Sequence, residues 1–289
     1  MEDLLHQAFS GLATGGIYAI VALALVMIYQ TTHHVNFAQG EMAMFCTYVA
    51  WALVQAGLPY WGAFVATAAF GFLLGVAIEK LVVRPMEDAP VLAVVVVFIG
   101  LLVIFNSLAG WLFGFSVKSF PSPFPSESVA AGLMSAHQLG TLAITLALLV
   151  LLFAFFRYTK AGLAMRAVAQ NPVSSGLVGI HVGAILGLGW GLASAIGAVA
   201  GMLVAPVVFL DPSMMVGVLL YAFAGALLGG ITSPLGAVVG GLIVGVLENV
   251  LGAFVIGNEL KLTVALVVIV AVLIVRPAGL FGKLQVTRV

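Results

Sequence analysis

"VGAILGLGWGLASAIGAVAGMLVAPVV", Val182 to Val208, runs for 27 residues without a charged side chain. As one helix rising about 1.5 Å per residue, it is long enough to cross the ~30 Å hydrocarbon core of a bilayer. Gly183 and Gly187 stand four apart in it, as do Gly197 and Gly201. In lipid this spacing lets two helix backbones approach closely, where dispersion drives association. The rest of the chain has the same character: 63% of residues are hydrophobic and 7% charged, against about a quarter charged in a soluble domain. The chain cannot cover a core with a charged surface, and it reads as an integral membrane protein.

Working outward, apolar runs recur near 9–29, 42–57, 61–82, 91–113, 138–156, 182–208, 217–231, 235–256 and 261–275. The runs 217–231 and 261–275 are short enough to be half-helices or re-entrant segments shielded by protein. Lys80 and Arg84 sit in one loop, Arg157, Lys160 and Arg166 in a second, and Arg276, Lys283 and Arg288 in the tail. Nine crossings with an outside N-terminus put all three clusters in the cytoplasm, as the positive-inside bias requires; if one short segment does not cross, the N-terminus moves inside. Lys118 then falls in an outside loop, and Lys261 at the outer end of the last span. The opening "MEDLLHQAF" carries Glu2 and Asp3 with no Lys or Arg. It lacks the positive n-region of a secretory signal and suits an outside end. The Pro- and Ser-rich stretch from Gly114 to Ala136 is expected to be an exposed outer connection with one short surface helix, or a contact surface for an external partner.

Several function classes drop out. A net charge of zero provides no electrostatic footprint for nucleic acid. Cys46 is the only cysteine; it excludes an intrachain disulfide and reads as a small apolar filler. The adjacent His33 and His34 would diverge by about 100° on a helix, which is poor metal geometry. No G-x-x-x-x-G-K-[ST], G-x-S-x-G or H-E-x-x-H occurs, so neither a P-loop nor the common hydrolase signatures are present.

Glycine pairs four apart also occur at 71/75, 225/229, 236/240 and 241/245. They are densest after residue 180, and the second half is expected to be the tightly packed part.

Polar residues stand out against this background. "TTHHVNFAQGEMAMF" (Thr31 to Phe45) places Asn36, Gln39 and Glu41 between two apolar runs. Asn36 reads as an N-cap with Gln39 three residues on, a capping-box-like pair, and Glu41 suits the positive helix end. A discontinuous helix whose polar start is drawn into the membrane, beside a transport pathway, fits as well and explains why the second run is short. Glu248 interrupts "VVGGLIVGVLENVLGAF". A carboxylate there costs about 2.5–3.5 kcal/mol on the insertion scale; it is either a pathway residue or a buried hydrogen-bonding group, with Asn249 as the near partner. Asn106 reads as structural. In "RYTKAGLAMRAVAQNPVSSGLVGIHVG" (Arg157 to Gly183) a short helix should stop at Asn171-Pro172, with Pro172 opening another turn. That helix would show Leu163, Met165 and Val168 as a docking face.

Four motifs carry a resemblance. "GLATGGIYAIVALALVMIYQTTHHVNFAQGEMAMF", "RYTKAGLAMRAVAQNPVSSGLVGI", "LGGITSPLGAVVGG" and "RPAGLFG" follow one another over nearly the whole chain. Together they resemble the permeases of bacterial ABC importers for branched-chain amino acids. The resemblance implies an all-α polytopic bundle of about 8–9 transmembrane helices, a single permease domain over 1–289 with a cytoplasmic coupling region near 157–181 and an outside loop near 114–137. It implies a non-catalytic translocation subunit of the bacterial inner membrane, itself without a cofactor. The expected partners are a second related permease, two cytoplasmic ATPases that bind ATP and Mg, and a periplasmic or extracellular binding protein. Asn36, Gln39, Glu41 and Glu248 would line the pathway or gate. Ala164, Met165, Arg166, Ala167, Val168, Asn171, Pro172 and Gly176 would couple it to the ATPases. The rival expectations are the same machine carrying urea or short-chain amides, and a self-sufficient secondary transporter or channel.

Overall fold

The apolar runs of the sequence each form a helix. In chain order the elements are α1 (Glu2–Thr32), α2 (Gln39–Gln55), α3 (Tyr60–Ile78), α4 (Val91–Phe113), α5 (Ala136–Tyr158), α6 (Lys160–Gln170), α7 (Pro172–Leu177), α8 (Val182–Val208), α9 (Met214–Gly229), α10 (Pro234–Leu251) and α11 (Lys261–Val275). The computed structural model describes residues 2–32, 34–87, 89–125, 128–129 and 134–282. His33, Lys283, Arg288 and residues 126–127 and 130–133 of the outer connection lie outside the described residues.

Six described segments are long and apolar enough to cross a membrane: Asp3–Thr32, Tyr60–Met86, Val91–Phe113, Ala136–Tyr158, Val182–Val208 and Pro234–Ile256. α9 and α11 are apolar but shorter, and α2 has 17 residues. The chain is therefore a multi-pass helical membrane protein.

One local expectation needs correction. Lys80 and Arg84 do not lie in a loop: α3 continues through a π-turn (Glu79–Val83) and a 3-10 turn (Arg84–Met86). The continuation is tied by Arg84, whose guanidinium pairs with the buried Glu79 at 2.8 Å. The outer connection has no helix among its described residues. Ser128–Val129 (β1) pairs antiparallel with Met134–Ser135 (β2), and Lys118 exchanges two 2.9 Å backbone hydrogen bonds with Leu210. The Lys118 ammonium lies 4.9 Å from the Trp51 ring centroid.

The chain sorts into two compact units. One comprises Met1–Val26, Phe124–Thr145 and Gly217–Val289. Its axis is α10, which presents glycine on two faces. Gly236 and Gly240 meet Gly229 and Gly225 of α9, while Gly241 and Gly245 meet Ala19 and Gly15 of α1. A Cβ on Gly225 would stand 2.7 Å from the Gly241 Cα, and one on Gly11 2.7 Å from the Val246 Cα. No side chain fits such gaps, so the sequence spacing is spent on backbone contact. The turn into α10 is capped by Ser233, whose Oγ accepts the Gly236 N–H at 3.1 Å, with Pro234 in the first turn. This turn is locked to the end of the described chain. Leu280 and Phe281 donate backbone N–H bonds to Leu228 and Gly229 at 2.8 and 2.9 Å, and Gly230 (φ +111°) meets Gly279 (φ +73°). "LGGITSP" and "RPAGLFG" are thus halves of one interlock, and both glycines are needed for their left-handed backbone.

The other unit comprises Met27–Pro123 and Leu146–Val216. Here α8 is the axis. Gly71 and Gly75 bring α3 onto Ser194 and Trp190 of α8, and Gly197 and Gly201 bring α8 onto Gln39, Ala43 and Thr47 of α2. Phe45 meets the rings of Phe70, Phe105 and Phe113 at 5.6–6.4 Å, tying α2 to α3 and α4. The outward faces stay apolar, with Val65 and Leu73 on α3 and Val96 and Trp111 on α4 exposed, as helices bordered by lipid or another subunit require.

Candidate functional site

The second unit answers the question posed by Thr31 to Phe45. Gln39 and Ala43 lie beside Gly197 and Gly201 in increasing order, so α2 and α8 run parallel. The Gln39 amide donates to the Ala193 carbonyl at 2.9 Å. Ala193 is about 16 Å along α8 from its first residue. The polar start of α2 therefore lies midway along a 27-residue helix, inside the bundle and away from its end. Asn36, Gln39 and Glu41 are buried, none more than 2% exposed. A short α2 whose polar start lies inside the bundle agrees with the helix part of that expectation.

The capping-box expectation is overturned. The residue before α2 is Ala38, which makes no side-chain cap. Asn36 Oδ1 accepts the Ala38 N–H at 3.0 Å, closing an Asx-turn before the helix starts, and Asn36 Nδ2 contacts Gln39 Oε1 at 3.4 Å. An Asx-turn and an N-cap draw on the same short side-chain acceptor; here the helix opens two residues later than a cap at Asn36 would need. Gln39 is freed to reach across to α8.

Glu41 is the more costly group. Its only side-chain hydrogen bond among the described residues is a long one, 3.5 Å from Asn106 Nδ2. That nitrogen has its better bond, 2.7 Å, with the Pro212 carbonyl. A carboxylate buried with so little compensation is destabilising. Asn106 bridges α4 to the strand-like segment after α8, which begins at Phe209 with φ +64°, a left-handed conformation that is strained for a bulky residue. Neither Asn106 as the neighbour of Glu41 nor the strain at Phe209 was legible locally, since Glu41 and Asn106 lie 65 residues apart.

In the first unit Glu248 is 7% exposed. Its partner is Tyr18, whose hydroxyl donates to Oε2 at 2.7 Å. Asn249, the expected partner, instead donates to the Gly245 carbonyl of its own helix at 3.1 Å. Tyr18 stacks on Tyr221 at 4.9 Å between ring centroids, so α1, α9 and α10 each contribute one member. The Lys261 side chain lies across Gly252, one turn beyond Glu248.

The two short helices expected between Arg157 and Gly183 form, with one face reversed. Thr159 caps α6, accepting the Gly162 N–H at 3.0 Å, and Asn171 caps α7, accepting the Ser174 N–H at 2.9 Å. Gly162 lets α6 turn back against Phe155 and Phe156. Met165 and Val168, expected on the surface, are 3% and 0% exposed; the Met165 methyl reaches Gly189 of α8. Periodicity identifies a stripe and leaves open whether solvent or a neighbouring helix lies against it. Ala164 and Ala167 are half-buried, and Arg166, Asn171, Pro172 and Gly176 are exposed. The free apolar face is formed by Leu163, Val173, Leu177 and Val178, each at least 60% exposed.

Residues 7–273 match the family described as branched-chain amino acid transport system / permease component. The chain is 30% identical to the high-affinity branched-chain amino acid transport system permease protein LivH of Escherichia coli, over 99% of this chain and 97% of that protein. It is 29% identical to the corresponding protein BraD of Pseudomonas aeruginosa, over 99% and 98%. It is 27% identical to the probable branched-chain amino acid transport permease protein LivH of Methanocaldococcus jannaschii, over 92% and 89%. With its multi-pass helical architecture and a match along nearly its whole length, the chain belongs to the family of branched-chain amino acid transport system permease components.

Proposed function

We propose that this chain is the translocation subunit of a binding-protein-dependent ABC importer for branched-chain and other hydrophobic amino acids, working by alternating access in the bacterial inner membrane. The observation that carries the reading is the full-length likeness to proteins named for branched-chain amino acid transport. Those names favour an amino acid over urea or a short-chain amide. A second related permease completes the pathway. Two cytoplasmic ATPases bind ATP and Mg and perform the hydrolysis, so the chain itself needs neither catalysis nor a cofactor. A periplasmic binding protein delivers the substrate.

In this scheme the ATPases bear on the free face of α6 and α7. Met165 anchors α6 to α8 at Gly189, so a push on Leu163, Arg166 or Leu177 moves α8. α8 holds the start of α2 through the bond from Gln39 to Ala193. Asn36, Gln39 and Glu41 thereby become the gate end of a chain of contacts that begins at the coupling face. Glu248 and Tyr18 supply a second polar station on the pathway.

Leu177→Asp tests the coupling. Leu177 is 84% exposed, so the fold tolerates the change, while an interface that buries this side chain loses an anchor worth about 2 kcal/mol. Stimulation of the partner ATPases by the binding protein, measured in proteoliposomes, is expected to fall by about tenfold or more. Unchanged stimulation would rule out α7 as the coupling face.

A further inference from the structure

We propose that the cavity between the end of α3 and the start of α8 holds the headgroup of an anionic phospholipid of the cytoplasmic leaflet. The cavity encloses about 380 Å³ and is lined by Phe72, Val76, Lys80, Arg84, Gly183 and Leu188, among others. Its walls are of two kinds. Phe72, Val76 and Leu188 are apolar, and Lys80 and Arg84 are cationic. Gly183 and Ala184 of the first turn of α8 also line it, so the positive end of that helix adds to the cationic side.

The charges are unequally free. Both oxygens of Glu79 take N–H bonds from Arg84, at 2.8–3.1 Å, and Arg84 also donates to the Gly183 carbonyl at 2.6 Å. Arg84 is thus compensated and fixed as one wall. Lys80 is exposed and makes no ion pair within 4 Å among the described residues; Glu79, already paired with Arg84, is the carboxylate that acts on it at longer range. An occupant therefore needs an anion for Lys80 and the helix end, joined to apolar matter for Phe72, Val76 and Leu188. A phospholipid carries both, in the order the cavity presents them.

Position supports the same occupant. Phe72, Val76, Lys80 and Arg84 of the cavity lie in the candidate span Tyr60–Met86, and Leu73 and Leu81 of the same span are 65% and 76% exposed. The bond from Arg84 to Gly183 places this end of α3 next to the start of α8, the end that α6 and α7 lead into. Two of the three basic clusters of the sequence thus share one end, the end that the positive-inside bias assigns to the cytoplasm. Basic pockets between helices on that side suit anionic headgroups.

The test is native mass spectrometry of the purified full-length chain titrated with phosphatidylglycerol or phosphatidylcholine of matched acyl chains. Wild type should retain phosphatidylglycerol about fivefold better, the increment of one lysine near an anionic headgroup, and Lys80→Gln should erase that preference. Ala184→Phe, which fills the cavity without touching a charge, should lower retention of phosphatidylglycerol to a similar degree. Equal retention of the two lipids by wild type, or an unchanged preference in Lys80→Gln, would overturn the proposal. So would full displacement by free glycerophosphate, which would mark a soluble-anion site. The wild-type comparison stands by itself should a variant fail to fold, and no outcome depends on the transported substrate.

Discussion

Gly241→Leu is expected to remove most of the folded protein from the membrane. Gly241 is pinched on two sides. A Cβ there would collide with Ala19 of α1 and stand 2.9 Å from the Tyr18 carbonyl carbon, while Gly225 of α9 approaches from the other side. The neighbours are backbone atoms, which cannot swing aside as a side-chain tip could. Overpacking a core costs about 1–3 kcal/mol when side chains can adjust, occasionally more; parting two helix interfaces at once lies at or beyond the top of that range. A domain whose whole stability is about 5–15 kcal/mol loses a large share of it. The amount of monodisperse protein recovered in mild detergent should fall by about tenfold or more. Gly100→Leu on α4 is the control, because a Cβ at Gly100 meets nothing within 4 Å, and recovery should stay near wild type. Normal recovery of Gly241→Leu would mean that α1, α9 and α10 do not meet through these glycines.

Glu248→Ala is expected to cut leucine uptake by about tenfold or more while the complex still assembles. The substitution leaves the Tyr18 hydroxyl buried without its acceptor, a penalty of about 1–3 kcal/mol. The surrounding packing rests on glycine contacts that do not involve this carboxylate, so assembly should survive. Two companions separate the roles of charge and hydrogen bond. Tyr18→Phe deletes the donor and keeps the ring that stacks on Tyr221. Glu248→Gln keeps an acceptor and removes the ionisable group. If the carboxylate itself serves the pathway, Glu248→Gln should be as impaired as Glu248→Ala. If the bond to Tyr18 merely fixes α1 against α10, Glu248→Gln should approach wild type and Tyr18→Phe should fail. Wild-type uptake by Glu248→Ala would remove this residue from the pathway altogether.

The parts of the fold legible in the sequence are those governed by local chemistry. Charge-free runs became helices because lipid leaves the backbone no other partner. Glycine pairs marked close approaches because only a missing side chain permits them, and Asn171-Pro172 ended α6 and opened α7 as its dihedral restrictions require. The polar start of α2 was legible as an anomaly of length. What stayed hidden was pairing across distance. Nothing near Glu248 points to Tyr18, 230 residues away, and nothing near Glu41 points to Asn106 or Pro212. An apolar stripe such as that of Met165 and Val168 looks the same whether a neighbouring helix or a partner subunit covers it. The Asn36 side chain serves an Asx-turn as readily as a cap. The ion pair of Glu79 with Arg84 shapes the end of α3.

The central claim, that the chain works only as one subunit of an ATP-driven importer, is tested most directly by affinity purification from its native membrane in mild detergent. Mass spectrometry would then identify everything that accompanies it. The account predicts two P-loop ATPases and a second related permease in stoichiometric amounts. Recovery of the chain alone or as a homo-oligomer, from a preparation in which other ABC complexes stay intact, would contradict it and make a self-sufficient transporter the reading to pursue.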